Sequence, residues 1–284
     1  MGKKYIDLHI HTVYSDGELS PKQIIKFSAR KGINIVAITD HDNLRGYSEA
    51  KEAANEYGIQ LIPGVEITTP KYHLLGLNFN PEDKRLNQFI EYSRNIQEEV
   101  CRERVEILRE QGIPITLEGL KRSAPLARLG KGNIKNYFAS NKECRDYLRR
   151  KHQDLSPNEI FLYYLGRNGI ASNLEPKAGV TPKEAIDAIH QAGGIIGIAH
   201  PPKDIERIEE LELLVEQGID FLEVQPNLKK DYPYEKFERF AEENNLPISF
   251  GSDYHGPTMN PRPMLEQGEN ILTEELRRLL FKED

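Results

Sequence analysis

Residues 5–42 read YIDLHIHTVYSDGELSPKQIIKFSARKGINIVAITDHD, and this stretch decides the fold. The apolar runs at 5–11 and 33–39 predict two strands. Between them, Ser20 and Pro21 predict the start of a helix that ends near residue 31, because serine is a good N-cap and proline suits the first helical turn. A strand, a helix and a second strand in this order are typical of a parallel sheet or barrel.

The same alternation returns on both sides of a different, mostly helical segment. Further strands are predicted at 59–69, 71–79, 193–201, 219–225 and 246–252, with helices at 47–58, 181–192, 204–217 and 233–245. Between Pro81 and about residue 177, apolar residues recur at helical spacing instead. We therefore predict an α/β protein with a barrel domain of residues 1–80 and 178–284. Residues 81–177 are predicted to form a helical insertion that caps it.

Composition is that of a globular protein, with 284 residues, 38% hydrophobic and 29% charged. No apolar run approaches the roughly 18 residues that a membrane helix needs, and the N-terminus shows no signal-peptide core. Cys101 and Cys144 lie far apart without CxxC spacing, so neither a disulfide framework nor a thiolate metal site is indicated. We expect a cytoplasmic protein with reduced cysteines and no membrane partner.

Side chains that bind metals gather at the ends of the predicted strands. Six of the eight histidines belong to this set. Its nine members are His9, His11, Asp16, His41, Glu66, His73, His200, Asp253 and His255. Imidazole and carboxylate ligands without thiolate suit Zn²⁺, Mn²⁺ or Fe²⁺, and such centres activate water and clamp a phosphoryl or carbonyl oxygen. The set therefore indicates a metal-dependent hydrolase.

Spacing supports one shared site. His9 and His11 are two residues apart on a strand, so they point to the same side, and Asp253 and His255 are expected to repeat that geometry. Loops beyond the carboxyl ends of parallel strands converge on one face, which lets ligands distant in sequence meet. His152 and His190 lie outside these motifs, and we interpret them as structural residues.

Charge is distributed unevenly along the chain. Residues 119–151 contain ten lysines or arginines against two acidic residues, a local charge of +8, whereas the rest of the chain carries −15. A basic insertion on an acidic body favours a local anionic ligand over stable binding of duplex nucleic acid. A solvated helix face is the alternative interpretation of this segment.

The ordered motifs HxH, SDG, TDHD, GVE, AHP and SDxH resemble those of the PHP (polymerase and histidinol phosphatase) superfamily of metal-dependent phosphoesterases. The stretches SDGELSPKQIIKFSARKGINIVAITDHD and VTPKEAIDAIHQAGGIIGIAHP resemble the branch of nucleoside 3′,5′-bisphosphate phosphatases and 5′–3′ oligoribonucleases. This resemblance implies a distorted (β/α)₇ barrel with a helical insertion. It also implies two to three divalent ions, Mn²⁺, Fe²⁺ or Zn²⁺, in a trinuclear centre.

The resemblance also implies how the ligands divide among the three ions. His9, His11, Glu66 and Asp253 would hold the first, Glu66, His73 and His200 the second, and Asp16, His41 and His255 the third. The expected reaction is in-line attack on a phosphomonoester by a hydroxide that bridges metal ions. Asp42 and Asp40 are expected to orient His41 or bound water. His200, His255 or a metal-bound water would protonate the leaving group.

Departures from that branch fall in the insertion. Where its members show a G-R-P-H-I-A-like stretch, this chain has GKGNIK at 130–135, and the later glycine-rich segment reads GRNG at 166–169. Positive charge is kept and the histidine is lost. Arg128, Lys131, Lys135 and Arg167 are the predicted contacts of substrate phosphate.

Three functions fit these residues. The enzyme could act on phosphomonoesters of small nucleotides, such as nucleoside 3′,5′-bisphosphates or the ends of short oligonucleotides, which the basic insertion favours. It could instead act on another small metabolite, such as histidinol phosphate or a sugar phosphate. A catalytically silent PHP module is the third interpretation, although such modules lose ligands and this chain keeps all nine.

Overall fold

The computed structural model describes residues 3–166, 168–172, 179–226, 234–258, 263–266, 268 and 270–282. The strands of these residues are β1 (Ile6–Asp7), β2 (Ile35–Ile38), β3 (Gln60–Thr68), β4 (His73–Leu77), β5 (Ile195–Ile198), β6 (Phe221–Val224) and β7 (Ile248–Phe250). The helices are α1 (Pro21–Arg30), α2 (Arg45–Tyr57), α3 (Lys84–Glu110), α4 (Leu117–Ser123), α5 (Lys131–Ser140), α6 (Lys142–Lys151), α7 (Pro157–Leu165), α8 (Pro182–Gln191), α9 (Pro201–Asp204), α10 (Glu209–Gln217), α11 (Glu235–Glu243) and α12 (Glu274–Phe281). None of the helices in these ranges combines the length and hydrophobicity that a membrane span requires.

The strands form one sheet in the order of the sequence, β1 to β7. Its two edges meet: Phe250 accepts a hydrogen bond from the Leu8 amide at 2.9 Å, and the amides of His11 and Asp253 bond to the carbonyls of Tyr254 and His9, each at 2.9 Å. The sheet is therefore a nearly closed barrel, which confirms the predicted architecture. The expected strand at 5–11 is shorter than predicted, because residues beyond Asp7 pair with the segment after β7 rather than with β2.

One strand runs against the others. β4 is antiparallel to both β3 and β5, whereas all other neighbouring pairs are parallel. The chain turns from β3 to β4 within a few residues, where the Thr69 amide donates to the Tyr72 carbonyl at 3.0 Å. Thr68 at the end of β3 consequently pairs with His73 at the start of β4. The reversal brings His73 to the barrel end where the other strands finish.

Several apolar clusters support the barrel and the insertion. One cluster combines residues from all of β1 to β6 and from α12, including Leu8, Leu75 and Phe221, each fully buried. Another unites α3 to α7 around residues such as Leu108, Ile134 and Tyr164. Cys101 and Cys144 lie in this second cluster, buried and unpaired, so they pack as apolar side chains.

Side-chain caps define where the insertion's helices begin. Asp83, Thr116, Asn141 and Ser156 each accept a hydrogen bond from a backbone amide of the first turn of α3, α4, α6 and α7. The helix predicted at 204–217 begins later, as α10 at Glu209. The short helix α9 lies before it and ends at Asp204, because Ile205 adopts an extended backbone. The domain boundaries at 80/81 and 177/178 stay a prediction, and residues 173–178 lie outside the described ranges.

Candidate metal centre

The carboxylate of Glu66 on β3 is the centre of the site. It is fully buried, and imidazole nitrogens surround both of its oxygens. Oε2 lies 3.3 Å from His9 Nε2, 3.1 Å from His11 Nε2 and 3.0 Å from His41 Nδ1. Oε1 lies 3.1 Å from His73 Nδ1 and 2.9 Å from His200 Nε2. The two oxygens thus face different groups of histidines.

Asp16 gathers a further group at the mouth of the barrel. Its Oδ1 lies 3.3 Å from His255 Nε2, 3.7 Å from His11 Nδ1 and 4.0 Å from His41 Nε2. Asp253 lies on the other side of His11, with Oδ1 3.3 Å from Nε2 of that ring. The structure therefore brings together all nine residues that the sequence predicted.

Geometry and unsatisfied polar atoms both fit bound metal. Four sets of ligand atoms lie close enough to share an ion: His11, Asp16, His41 and His255; His9, His11 and Asp253; His41, Glu66 and His73; and His73, His200 and Asp204. Among the described residues, Asp16 Oδ1, His41 Nδ1, Glu66 Oε2 and His200 Nδ1 are buried without a hydrogen-bond partner. Buried polar atoms are rarely left unpaired, and coordination would satisfy these.

Burial and neighbouring charges affect these groups differently. Against the effect of burial, neighbouring carboxylates raise the pKa of His9, His11 and His73 and favour their protonated forms, so metal binding there would displace protons. Burial lowers the pKa of His41 to about 4, which keeps its imidazole neutral with a lone pair available. Burial alone would raise the pKa of Glu66, but His41, His9 and His73 hold it well below its ordinary range. Glu66 is therefore a carboxylate, the form that binds metal.

Two of the candidate ligands have a left-handed backbone conformation that sets the direction of their side chains. His200, between β5 and α9, has a φ of 32°, and Asp253, after β7, has a φ of 53°. Such conformations are costly for residues other than glycine and persist only where the surroundings enforce them. Asp253 and His255 were expected on a strand, but β7 ends at Phe250 and both residues lie in the segment after it. Their side chains still face the same side, with Asp253 Oδ1 3.5 Å from His255 Nδ1.

Buried carboxylates outside the predicted set orient the ligands. Glu223 on β6 is fully buried, and its Oε1 lies 2.8 Å from His9 Nδ1 while its Oε2 accepts the His200 amide at 2.7 Å. Asp40 accepts a hydrogen bond from Ser15 Oγ at 2.6 Å, and Ser15 Oγ lies 3.2 Å from His11 Nδ1. These contacts fix ring orientation, as the partners of metal-bound histidines commonly do.

Asp42 and Arg128 form an ion pair beside the candidate ligands. Asp42 was expected to orient His41 or bound water, but it accepts hydrogen bonds from Ser93 Oγ at 2.7 Å and from the Thr68 amide at 3.1 Å. Its Oδ2 also accepts Arg128 Nε at 3.0 Å, and this pairing avoids the cost of an unpaired buried carboxylate. Arg128 is mostly buried but lines the cavity above the ligands, so its contact with substrate stays a prediction.

A cavity of about 1220 Å³ opens above the ligands. Arg104, Lys131 and Lys135 of the insertion line it, together with Lys203, whose Nζ lies 2.5 Å from Asp253 Oδ2. Lys131 donates to Ser172 Oγ at 3.1 Å, and Lys135 Nζ lies 5.0 Å from the centre of the Phe161 ring. Arg167 lies outside the described residues.

Three further residues of this site were not singled out from the sequence. Arg104 and Lys203 resemble ordinary surface cations of charged helices, and only the burial of Arg104 and the contact of Lys203 with Asp253 distinguish them. Glu223 had a usable signal, an acidic residue within the apolar run FLEV of β6. His152 and His190, interpreted as structural, contact Tyr164 and Asp220, each at 2.8 Å, and do not line the cavity.

A barrel whose strand ends collect imidazoles and carboxylates around one cavity defines the class of metal-dependent hydrolases. The PHP domain family matches residues 7–154, and the chain belongs to this family of metal-dependent phosphoester hydrolases.

Individual relatives agree with that assignment over nearly the full length. The chain is 31% identical to the 5′-3′ exoribonuclease of Haemophilus influenzae over 95% of both proteins. It is 28% identical to the 3′,5′-nucleoside bisphosphate phosphatase of Chromobacterium violaceum, over 89% of this chain and 87% of that protein. A solved structure described as a metal-dependent phosphoesterase from Bifidobacterium adolescentis superposes with a TM-score of 0.77 at 26% identity, covering 98% of this chain and 96% of that one.

We expect the purified protein to contain two to three transition-metal ions per chain, because nitrogen and oxygen ligands without thiolate suit Mn²⁺, Fe²⁺ or Zn²⁺. Chelation should abolish phosphatase activity and Mn²⁺ should restore it. Elemental analysis before and after dialysis against chelator measures both. Protein without bound metal, and without rescue by any of these ions, would exclude the metal centre.

Glu66→Gln should reduce turnover by several orders of magnitude while the fold survives, because it removes the charge shared by two groups of histidines and preserves the side-chain shape. The matched control is His190→Ala, which removes an imidazole that contacts only Asp220 among the described residues. Initial rates with an aryl phosphate and thermal unfolding curves measure the two effects. Similar activity in both variants would contradict the central position of Glu66.

Proposed function

We propose that this enzyme hydrolyses phosphomonoesters of small nucleotides, such as nucleoside 3′,5′-bisphosphates or the ends of short oligonucleotides. One observation supports the proposal most strongly: a single cavity contains the candidate metal centre and, from the insertion, the cations Arg104 and Lys131. A substrate with two phosphates, or with a phosphate and a further nucleotide, can place one anionic group at the metal centre and another at these cations. One relative is named a 3′,5′-nucleoside bisphosphate phosphatase, which acts on such a monoester, and another is named a 5′-3′ exoribonuclease, which cleaves the phosphodiester at the end of an RNA strand.

Burial leaves Arg104 poised for an anion. Its side chain is only 9% exposed, and its Nε has no hydrogen-bond partner among the described residues. Burial lowers its pKa to about 10, and the neighbouring positive charge of Arg128 adds to this lowering. A phosphate oxygen would supply the missing acceptor and the missing negative charge, and contacts of this kind are strong.

Lys131 is positioned beside Arg104. Burial, followed by the charge of Arg104, lowers the pKa of Lys131 to about 8. Two cations that repel each other in a partly desolvated cavity are unfavourable without a ligand. An anion bound between them removes that repulsion, so the pair favours a substrate group of at least one negative charge.

Each group of residues has a distinct task in the proposed reaction. Glu66 and the eight other candidate ligands would hold the metal ions, which when bound supply a nucleophile near neutral pH and neutralise phosphoryl oxygens. Glu223 and Asp40 keep the rings of His9 and His11 in place, directly and through Ser15 respectively. Lys131, Arg104 and Lys135 orient the substrate by its second anionic group.

His200 and His255 were the candidates for protonating the leaving group, and their contacts suit ligands better. His255 Nδ1 lies 2.8 Å from the Asp253 carbonyl, so this nitrogen carries the proton and Nε2 presents a lone pair towards Asp16. His200 Nε2 lies against Glu66 and the residue is only 4% exposed. We propose ligand roles for both and assign neither as the proton donor.

Neutralising the insertion's cations should weaken binding of a doubly phosphorylated nucleotide more than binding of an aryl phosphate. Each charge-assisted contact contributes roughly 1.5–3 kcal/mol, so Arg104→Met or Lys131→Met should raise KM about ten-fold or more for the nucleotide. Steady-state kinetics on both substrates measure this, with Lys142→Met as a control on an exposed cation of α6. Equal, small effects on both substrates would refute the cap's role.

A panel of nucleoside bisphosphates, oligonucleotides, histidinol phosphate and sugar phosphates, scored for phosphate release with Mn²⁺, tests the substrate class itself. Faster hydrolysis of a non-nucleotide metabolite would overturn the proposal.

Activity on the doubly phosphorylated nucleotide should fall above about pH 8 relative to activity on the aryl phosphate. The pKa of Lys131 is lowered, so its positive charge is present below about pH 8 and is lost as the pH rises through that value. Both substrates use the same metal centre. The ratio of their kcat/KM values therefore removes any effect of pH on that centre. In Lys131→Met this ratio should not change with pH over the same range.

A further inference from the structure

The insertion contacts the barrel loop that carries Asp16 at three consecutive carbonyl oxygens. The backbone amide of Arg128 donates to the Tyr14 carbonyl at 3.0 Å. Asn133 Nδ2 donates to the Ser15 carbonyl at 2.8 Å, and Asn136 Nδ2 donates to the Asp16 carbonyl at 3.2 Å. Residues 128–136 of the insertion thus hold the backbone of residues 14–16 from one side.

Asn133 is fixed at both ends of its amide group. Its Oδ1 accepts the Gly130 amide at 2.8 Å, which orients Nδ2 towards Ser15, and the residue is only 3% exposed. Asparagine is required here for its chemistry, because the position must accept at one atom and donate at the other. An aspartate of the same shape would direct an oxygen at the Ser15 carbonyl.

Gly132 makes the closest approach to the ligand itself. A Cβ at this position would overlap the Asp16 carboxylate, so the start of α5 can lie against Asp16 only because residue 132 has no side chain. Asp16 Oδ1 has no hydrogen-bond partner among the described residues. His255 Nε2 faces this oxygen at 3.3 Å, and the other carboxylate oxygen lies in the space that Gly132 leaves. The position of this carboxylate therefore depends on its backbone, on the histidines and on the space beside Gly132.

The same segment reaches a second ligand of that group. Arg128 pairs with Asp42, whose backbone follows directly from His41, and the Asp42 amide donates to the Glu66 carbonyl at 3.0 Å. Asp16 and His41 both belong to the set completed by His11 and His255. Contacts from the insertion thus support the backbone at or next to two of these four ligands, Asp16 and His41.

We propose that Arg128, Gly132, Asn133 and Asn136 are positioning residues for the ion held by His11, Asp16, His41 and His255. This ion site is then built jointly by the barrel and the insertion. The set of His9, His11 and Asp253 and the set of His73, His200 and Asp204 consist of barrel residues. The inference rests on the metal centre of the proposed function and not on its substrate. Loosening the insertion should release one ion and leave the others bound.

The test measures stepwise Mn²⁺ binding to the full-length protein by calorimetry and elemental analysis. Asn133→Ala, Asn133→Asp and Gly132→Ala should each weaken one binding step by ten-fold or more and leave the remaining steps unchanged. Hydrogen exchange of the amides in residues 14–17 should quicken in the metal-free Asn133 variants, because the loop loses its support.

Matched controls lie in the same insertion. Asn141 caps α6 by accepting the Cys144 amide at 2.9 Å and contacts only insertion residues in the described ranges. Gly119 is the matched glycine, since a Cβ there would lie 2.7 Å from the Tyr137 hydroxyl rather than against a ligand. Asn141→Ala and Gly119→Ala should bind every ion as the unmodified protein does.

Two results would overturn the inference. One is unchanged affinity for every ion in the Asn133 and Gly132 variants, and the other is equal loss of the ion in the two controls. If Gly132→Ala does not fold, Asn136→Ala gives the same test, because it removes a single hydrogen bond to Asp16. The measurement uses no substrate, so a failed nucleotide panel and a failed positioning role are separate results.

Discussion

The architecture depends on burying one carboxylate among imidazoles. Glu66 is fully buried, and His9, His11, His41, His73 and His200 each place a nitrogen within 3.3 Å of it. A buried charge is tolerated only with close, well-oriented partners, so the ends of several strands must meet within a few ångströms. Barrel closure, the reversal of β4 and the left-handed turn at His200 all serve this requirement. Cations bound among these histidines would contact the same imidazole nitrogens and carboxylate oxygens and hold them apart.

The insertion and the barrel contribute different charged groups to the cavity. The insertion brings cations to the cavity, and they differ in their surroundings. Arg128 of the basic segment pairs with Asp42, whereas Arg104 of α3 lies buried with its Nε unpaired among the described residues. The insertion therefore supplies one cation that is neutralised and one that keeps an unpaired donor. The sequence analysis singled out Arg128 and not Arg104.

The ligand set and the barrel could be predicted from local patterns, because each ligand follows a short apolar run and strand ends converge. The direction of β4 was also readable, since the link between β3 and β4 is far too short for the crossover that a parallel pair needs. The roles of Arg128 and Glu223 could not be predicted, because their partners Asp42 and His9 are 86 and 214 residues away. The end of β7 before Asp253 was missed, because SDxH has the spacing of a strand. Only the backbone of the structure shows that Asp253 has a left-handed conformation.

Closure of the barrel has a consequence for how the chain is made. The Ser252 amide bonds to Asp7 at a separation of 245 residues, and Asp253 and His255 meet His9 and His11 across the same seam. On a ribosome the first histidines emerge long before these partners, and contacts of such long range form late. The insertion's own core can pack earlier, from residues that are near one another in sequence. A nascent chain therefore lacks Asp253 and His255 until the end of synthesis, and metal captured before then meets an incomplete set of ligands.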